Sequence, residues 1–131
     1  MTPRRLFVLN ALIAGFYGIA LLAVTDPILD IYGIDANADG VYMARWFGLG
    51  LIATGLTTWL TRDAADSPAG RGIGRALAVT YGIGVVLALW GTVFGPFNVL
   101  GLVAVALNLL LGTGFAWLGF VEPRTYPSTM P

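Results

Sequence analysis

The stretch DANADG places Asp35, Asn37 and Asp39 at alternate positions and follows them with a glycine. This spacing matches the opening of an EF-hand calcium loop, in which alternate side chains supply oxygen ligands ahead of an invariant glycine. The loop must end on a bidentate glutamate at its twelfth position. That position is Trp46, and the cationic Arg45 precedes it. We therefore predict no metal site here and assign Asp39 to the capping of the following helix.

Arg45 is the one charged side chain that we place inside a predicted membrane span, because Arg75 lies at the edge of the third span and is counted with the inner loop. A charge at such a position must find a partner or water, so it is a candidate functional residue. Two interpretations remain open. Asp30, Asp35 or Asp39 could form an ion pair with Arg45 and clamp the preceding loop to the helix. Alternatively, Arg45 could bind an anionic headgroup or a small anion.

Four uncharged polar side chains are further binding candidates inside predicted spans: Asn10, Tyr17, Tyr81 and Asn108. Polar groups in lipid usually form hydrogen bonds to a neighbouring helix. We expect these residues to link helices, with the alternative that they line a ligand cavity.

The sequence contains few of the residue types that commonly catalyse reactions. The chain contains no histidine and no cysteine, which removes the usual general base, the thiolate nucleophile and the commonest transition-metal ligands. The predicted spans hold no pair of carboxylates for a proton relay. We therefore expect no enzymatic activity, no cofactor and no metal.

The composition predicts an integral membrane protein. Of the 131 residues, 57% are hydrophobic and 11% are charged, against about 25% charged in an ordinary soluble domain. Four apolar blocks are long enough to cross a bilayer as helices, which takes roughly 20 residues each. We predict a single all-α domain, 1–131, built as a four-transmembrane-helix bundle. Its spans are 6–24, 41–61, 73–94 and 97–121, joined by an outer loop (25–40) and an inner loop (62–72), with a tail at 122–131.

The distribution of arginine predicts the orientation. Six of the seven arginines flank the start of the first span, the inner loop or the tail, whereas the outer loop has four aspartates and no basic residue. By the positive-inside rule, both termini are cytoplasmic. We expect the protein in the inner (cytoplasmic) membrane as a multi-pass protein.

The outer loop contains the sequence TDPILDIYG, which has the features of a short helix. Asp26 suits the N-cap position and Pro27 the first helical position. Gly33 suits a C-terminal stop. Because the residues between them are mainly apolar, we expect this helix to lie in the membrane interface.

Glycine is abundant, with 18 residues, many at helical spacing within the spans. Helices in lipid associate through small residues that allow close approach. One such ladder is Gly74, Ala78 and Gly82 on the third span. These faces could serve only packing within one chain, or some of them could contact another protein.

The pattern formed by Pro27, Tyr32-Gly33, Ala44-Arg45 with Gly48, Gly55 and Trp59 with Arg62 resembles that of small bacterial four-span integral membrane proteins of unknown function. The resemblance covers most of the chain and implies the four-span fold, but it implies no activity.

These observations favour a non-catalytic structural or accessory membrane protein that assembles through its glycine-rich faces. Its expected partners are the lipid bilayer and either further copies of itself or a larger membrane complex, and no nucleic acid. The alternative is a protein that binds or transports a small solute, an anion or a lipid, with Arg45 at an outward-facing cavity.

Overall fold

The computed structural model describes residues 1–121, and all of their regular structure is helical. The helices are α1 (Pro3–Ala23), α2 (Thr25–Ile31), α3 (Ala38–Thr61), α4 (Pro68–Val93) and α5 (Gly101–Ala116). A 3₁₀ turn (Arg62–Ala64) follows α3, and a π-helical segment (Trp117–Val121) continues α5. The predicted tail at 122–131 lies outside the described residues.

Three of the helices are long and apolar enough to cross a membrane: Pro3–Ala23, Pro68–Val93 and Gly101–Val121. The remaining long helix, α3, has sufficient length at 24 residues, but it does not reach the same hydropathy within the described chain. Its sequence contains Arg45 and four threonines. The structure therefore supports three spans on composition, where the sequence predicts four.

All four long helices start at residues other than the predicted ones, and the two largest differences, at α4 and α5, arise because local hydrogen bonding overrides hydropathy. Ser67 accepts a hydrogen bond from the Gly70 amide at 3.1 Å, and Pro68 occupies the first turn, so α4 starts before the apolar run. α5 starts at Gly101 rather than near 97. The preceding residues form a turn in which the Asn98 side chain accepts from the Leu100 amide at 2.9 Å.

The short helix predicted between the first two spans is present as α2, although its capping differs from the prediction. The helix begins at Thr25, so Asp26 lies in its first turn and does not cap it, and Val24 at the N-cap makes no side-chain bond. Gly33 follows the helix with φ of 76°. Glycine adopts this left-handed conformation without steric cost.

α1 and α3 pack antiparallel with their backbones in close contact at glycines. A Cβ placed on Gly18 would lie 2.7 Å from the carbonyl oxygen of Gly48 and 2.7 Å from the Ile52 side chain. One placed on Gly55 would lie 3.1 Å from the Ala11 carbonyl oxygen. The contact at Gly18 leaves no room for a side chain and that at Gly55 leaves little, so the close packing of α1 on α3 depends on these small residues.

α4 and α5 form the second pair, in which larger side chains of one helix lie over glycines of the other. Tyr81 of α4 packs over Gly112, and Asn108 of α5 lies so close to Gly84 that a Cβ there would overlap its side-chain oxygen. In the predicted ladder on α4, Gly74 packs against Leu118, whereas a Cβ on Gly82 would meet nothing within 4 Å. The ladder as a whole therefore does not form a single helix–helix interface.

The two pairs meet mainly at the end of the molecule that we call the basic end, where Arg4, Arg5, Arg62, Arg71 and Arg75 lie. The opposite end, which contains Asp26, Asp30, Asp35 and Asp39, we call the acidic end. The hydrophobic core lies at the basic end and consists of Leu6, Phe7, Ala65, Leu111, Phe115 and Leu118. Phe7 and Phe115 are both fully buried, with their rings edge to face at 5.6 Å.

Large apolar side chains cover most of the remaining surface. Leu60, Val86 and Phe94 are 74%, 65% and 74% exposed. A soluble monomer rarely presents so extensive an apolar surface, whereas a bilayer solvates it.

Candidate functional site

Arg45 lies at the acidic end of α3 and contacts the start of α2. Its Nε donates a hydrogen bond to the Thr25 hydroxyl at 3.2 Å. Thr25 is 2% exposed and donates in turn to the Leu21 carbonyl at 2.6 Å. The arginine thus joins α3 to the junction between α1 and α2 through a buried hydroxyl.

The predicted ion pair between Arg45 and an aspartate does not form. Among residues 1–121, the ion pairs within 4.0 Å are Arg4–Asp63 and Arg62–Asp63. Asp30, Asp35 and Asp39 are exposed. Arg45 is therefore held to the junction between α1 and α2 by a neutral hydroxyl, that of Thr25, which lies two residues after the end of α1.

The DANADG stretch forms the start of α3. The Asn37 side chain accepts from the Gly40 amide at 2.9 Å, so Asn37 is the N-cap and Asp39 lies in the first turn. Asn37 and not Asp39 is therefore the N-cap, whereas Asp39 lies at the N-terminus of the helix as predicted, where the helix dipole favours a carboxylate. Within the described chain, no three acidic, histidine or cysteine side chains converge as a metal-binding group.

Asn98 links α2 to the turn between α4 and α5 by hydrogen bonds. The sequence did not lead us to predict this role. The side-chain amide of Asn98 donates to the Ile31 carbonyl at 2.9 Å, and its backbone amide donates to the Tyr32 carbonyl at 2.8 Å. Both acceptors lie at the C-terminal end of α2, where helical carbonyls lack intrahelical partners. The available signal was Asn98 two residues after Pro96, a combination typical of turns.

Tyr17 and Tyr32 add a second contact beneath α2. Their hydroxyl oxygens lie 3.4 Å apart, and the ring of Tyr32 packs against that of Phe97 with centroids 5.9 Å apart. Burial and the hydrogen bond with Tyr17 raise the pKa of Tyr32 to about 12. Tyr32 therefore remains neutral throughout the physiological range, and this cluster has a structural rather than an acid–base character.

Asn10 is the centre of a polar chain that joins three helices. Its side-chain nitrogen donates to the Thr58 hydroxyl at 3.1 Å, and its oxygen accepts from the Tyr81 hydroxyl. Thr58 shares its own proton between the carbonyls of Thr54 and Gly55, each at 3.1 Å. Asn10 and Thr58 are fully buried. The chain connects the α1–α3 pair to α4 next to the hydrophobic core.

Asn108 takes no part in this chain. Its side-chain nitrogen donates to the Ala104 carbonyl of its own helix at 2.7 Å. Thr54, Thr57, Thr61 and Thr80 likewise bond to carbonyls four residues earlier. Such bonds satisfy a hydroxyl or amide without any ligand.

The arginines at the basic end mostly secure helix termini. Arg4 bonds Asp63 at 2.8 Å and holds the pKa of that exposed carboxyl below its usual range. Arg75 donates from Nε to the Gly119 carbonyl at 2.8 Å, in the π-helical segment. Arg62 lies 4.5 Å over the Trp59 ring and donates to the Trp59 carbonyl.

The eight predicted binding residues therefore fall into separate places. Asn10 and Tyr81 contact each other in the interior, Tyr17 supports α2, and Asn108 bonds its own helix. Arg45 and the three aspartates share the acidic end without pairing. Every buried side-chain polar atom in the described part of the chain has a hydrogen-bond partner.

Two apolar grooves of about 290 Å³ each lie on the surface. One is bordered by Gly15, Ile52 and Trp59 between α1 and α3, and the other by Pro3, Gly114 and Trp117 near the basic end. Neither groove contains Arg45 or the Asn10 chain. Comparison with known proteins finds no family model, no curated protein and no solved structure that matches this chain.

Proposed function

We propose that this chain is a non-catalytic structural or accessory protein of the inner membrane that assembles through glycine-rich helix faces, with itself or within a larger membrane complex. The observation that carries the proposal is that the buried Asn10 joins three helices through Thr58 and Tyr81, and that every buried side-chain polar atom in the described residues has a partner within the chain. The hydrogen-bonding capacity of these groups is directed to holding helices together, which is the chemistry of a scaffold.

We further propose a four-helix arrangement in which α3 is the fourth span. Its close contact with α1 at Gly18 and Gly55 supports this assignment, since α3 must accompany α1 through the bilayer. The division of arginines and aspartates between the two ends supports a cytoplasmic basic end. Exposed aromatic residues at both ends fit the interfacial belts of a membrane protein: Tyr42, Trp46, Trp90, Phe94, Trp59, Trp117 and Phe120.

The assembly surface that we favour is the outer face of α4, which we define as Val79, Gly82, Ile83 and Val86. α4 has 11% of its most apolar stretch buried, against 39% for α1. Gly82 has open space where a side chain would be, and the three flanking residues are 57–65% exposed. A glycine between β-branched ridges permits close helix contact with little loss of side-chain freedom.

Gly82→Leu tests this surface. We expect it to raise the dissociation constant of the assembly by about tenfold or more, because a side chain there prevents backbone approach. The fold should be retained, since the added Cβ meets nothing within the chain. Energy transfer between labelled copies in vesicles measures self-association, and co-purification from native membranes measures a heterologous assembly.

Gly50→Leu is the matched control, because Gly50 also has open space around it but lies on α3. We expect this variant to associate like the wild type. If Gly82→Leu changes neither self-association nor the set of co-purifying proteins, the outer face of α4 is not the assembly surface.

A further inference from the structure

A second feature, on α3 rather than α4, is that Arg45 has unused hydrogen-bonding capacity. Its Nε bonds Thr25, while its two terminal nitrogens bond no protein acceptor in the part of the chain that the structure describes. The side chain is exposed. A guanidinium has five donors in a rigid fork, so most of its donors remain available to a ligand.

Thr25 fixes how this arginine is held. The hydroxyl is buried and is itself bonded to the Leu21 carbonyl, so its position is set by α1 and not by solvent. One bond to Nε restrains the guanidinium plane and leaves the terminal nitrogens for two parallel bonds. Carboxylates and phosphates are the groups that accept such a pair.

The neighbours of Arg45 indicate which kind of acceptor would lie within its reach. Tyr42 and Trp46 on the same helix are 59% and 55% exposed, and their ring centroids lie 6.3 Å apart. Exposed Tyr and Trp are enriched at the level of the lipid headgroups. At that level the abundant acceptor with the required geometry is the phosphodiester of a phospholipid.

The acidic end restricts the kind of headgroup. Asp26, Asp30, Asp35 and Asp39 are exposed there, and none belongs to an ion pair of residues 1–121. Their negative potential repels a headgroup with net negative charge and attracts one that carries an ammonium group. Charge complementarity therefore favours a headgroup that carries both a phosphate and an ammonium group.

We propose that Arg45 and the aspartates of the acidic end bind a zwitterionic phospholipid. The phosphodiester accepts hydrogen bonds from the terminal nitrogens of Arg45, and the headgroup ammonium lies toward the aspartates. This lipid site is separate from the outer face of α4, so it can be tested independently of assembly.

Lipid retention by the full chain tests the proposal. Delipidated protein in mild detergent is mixed with phosphatidylethanolamine, with phosphatidylglycerol of the same acyl chains, or with inorganic phosphate, and bound molecules are counted by native mass spectrometry. We expect phosphatidylethanolamine to be retained about tenfold more strongly than phosphatidylglycerol, and Arg45→Gln to lower its retention about tenfold. Arg5→Gln, an exposed arginine at the basic end, should retain lipid like the wild type.

Two further variants keep the outcome decisive if Arg45→Gln folds poorly. Arg45→Lys keeps the charge but loses the fork, so we expect intermediate retention. Asp26→Asn with Asp39→Asn leaves Arg45 unchanged and should remove the preference for phosphatidylethanolamine. Equal retention by wild type, Arg45→Gln and Arg45→Lys would overturn the proposal. So would equal binding of the two lipids by the wild type, or displacement of phosphatidylethanolamine by equimolar inorganic phosphate, which would indicate a small-anion site.

Discussion

Gly18→Ala lowers the free energy of unfolding by about 1–3 kcal/mol, the usual cost of overpacking a close contact. The added methyl group would lie 2.7 Å from the Gly48 carbonyl oxygen and 2.7 Å from Ile52. The first of these is backbone, which cannot move aside as a flexible side-chain end can. The α1–α3 pair must therefore separate. Reversible unfolding in mixed detergent micelles measures the change.

Gly15→Ala is the matched control one turn earlier on the same helix. A Cβ at Gly15 meets nothing within 4 Å, so stability should be unchanged or raised by up to about 1 kcal/mol through the better helix propensity of alanine. Equal destabilisation by the two substitutions would show that glycine at these positions serves helix flexibility and not the contact with α3.

Asn10→Leu is expected to destabilise the protein by about 1–3 kcal/mol, because it removes two interhelical hydrogen bonds while keeping nearly the same shape. The Tyr81 hydroxyl then loses its acceptor, whereas Thr58 keeps its bonds to its own helix. The contact of α1 with α3 and the link of α1 to α4 both weaken. The same unfolding measurement applies.

Thr57→Val provides the control for Asn10→Leu, because the hydroxyl of the exposed Thr57 bonds only within α3. We expect a change within about 0.5 kcal/mol. Tyr81→Phe should have little further effect in the Asn10→Leu background, as both substitutions break the same bond. A full additional loss in the double variant would contradict the polar chain described above.

The helical fold could be predicted from composition because a backbone in lipid has few alternatives. Two connections escaped prediction for a physical reason. Hydropathy does not register capping, so Ser67 extends α4 into a polar segment. Asn98 forms a turn within apolar sequence, so α5 begins later in the chain than hydropathy predicts.

The candidate site was predictable only as a set of residue types. A lone arginine in an apolar segment is visible in the sequence, but its partner is not, since Thr25 lies 20 residues away and becomes adjacent only when α1 and α3 pack. Asn10 and Asn108 show the same limit. They occupy similar apolar contexts, yet one joins three helices and the other bonds its own backbone. Which role each asparagine has depends on the helix that faces it.

One measurement decides whether the chain acts by assembly. The protein is extracted from its native membrane in lipid particles, without detergent, and the mass of the protein in each particle is determined. The single chain has a mass of 13.8 kDa. We predict particles whose protein mass corresponds to two or more copies, or to this chain with a constant partner, and a shift to the single-chain mass in Gly82→Leu. A protein mass of 13.8 kDa in wild-type particles, at native expression levels, would contradict a structural or accessory role through assembly.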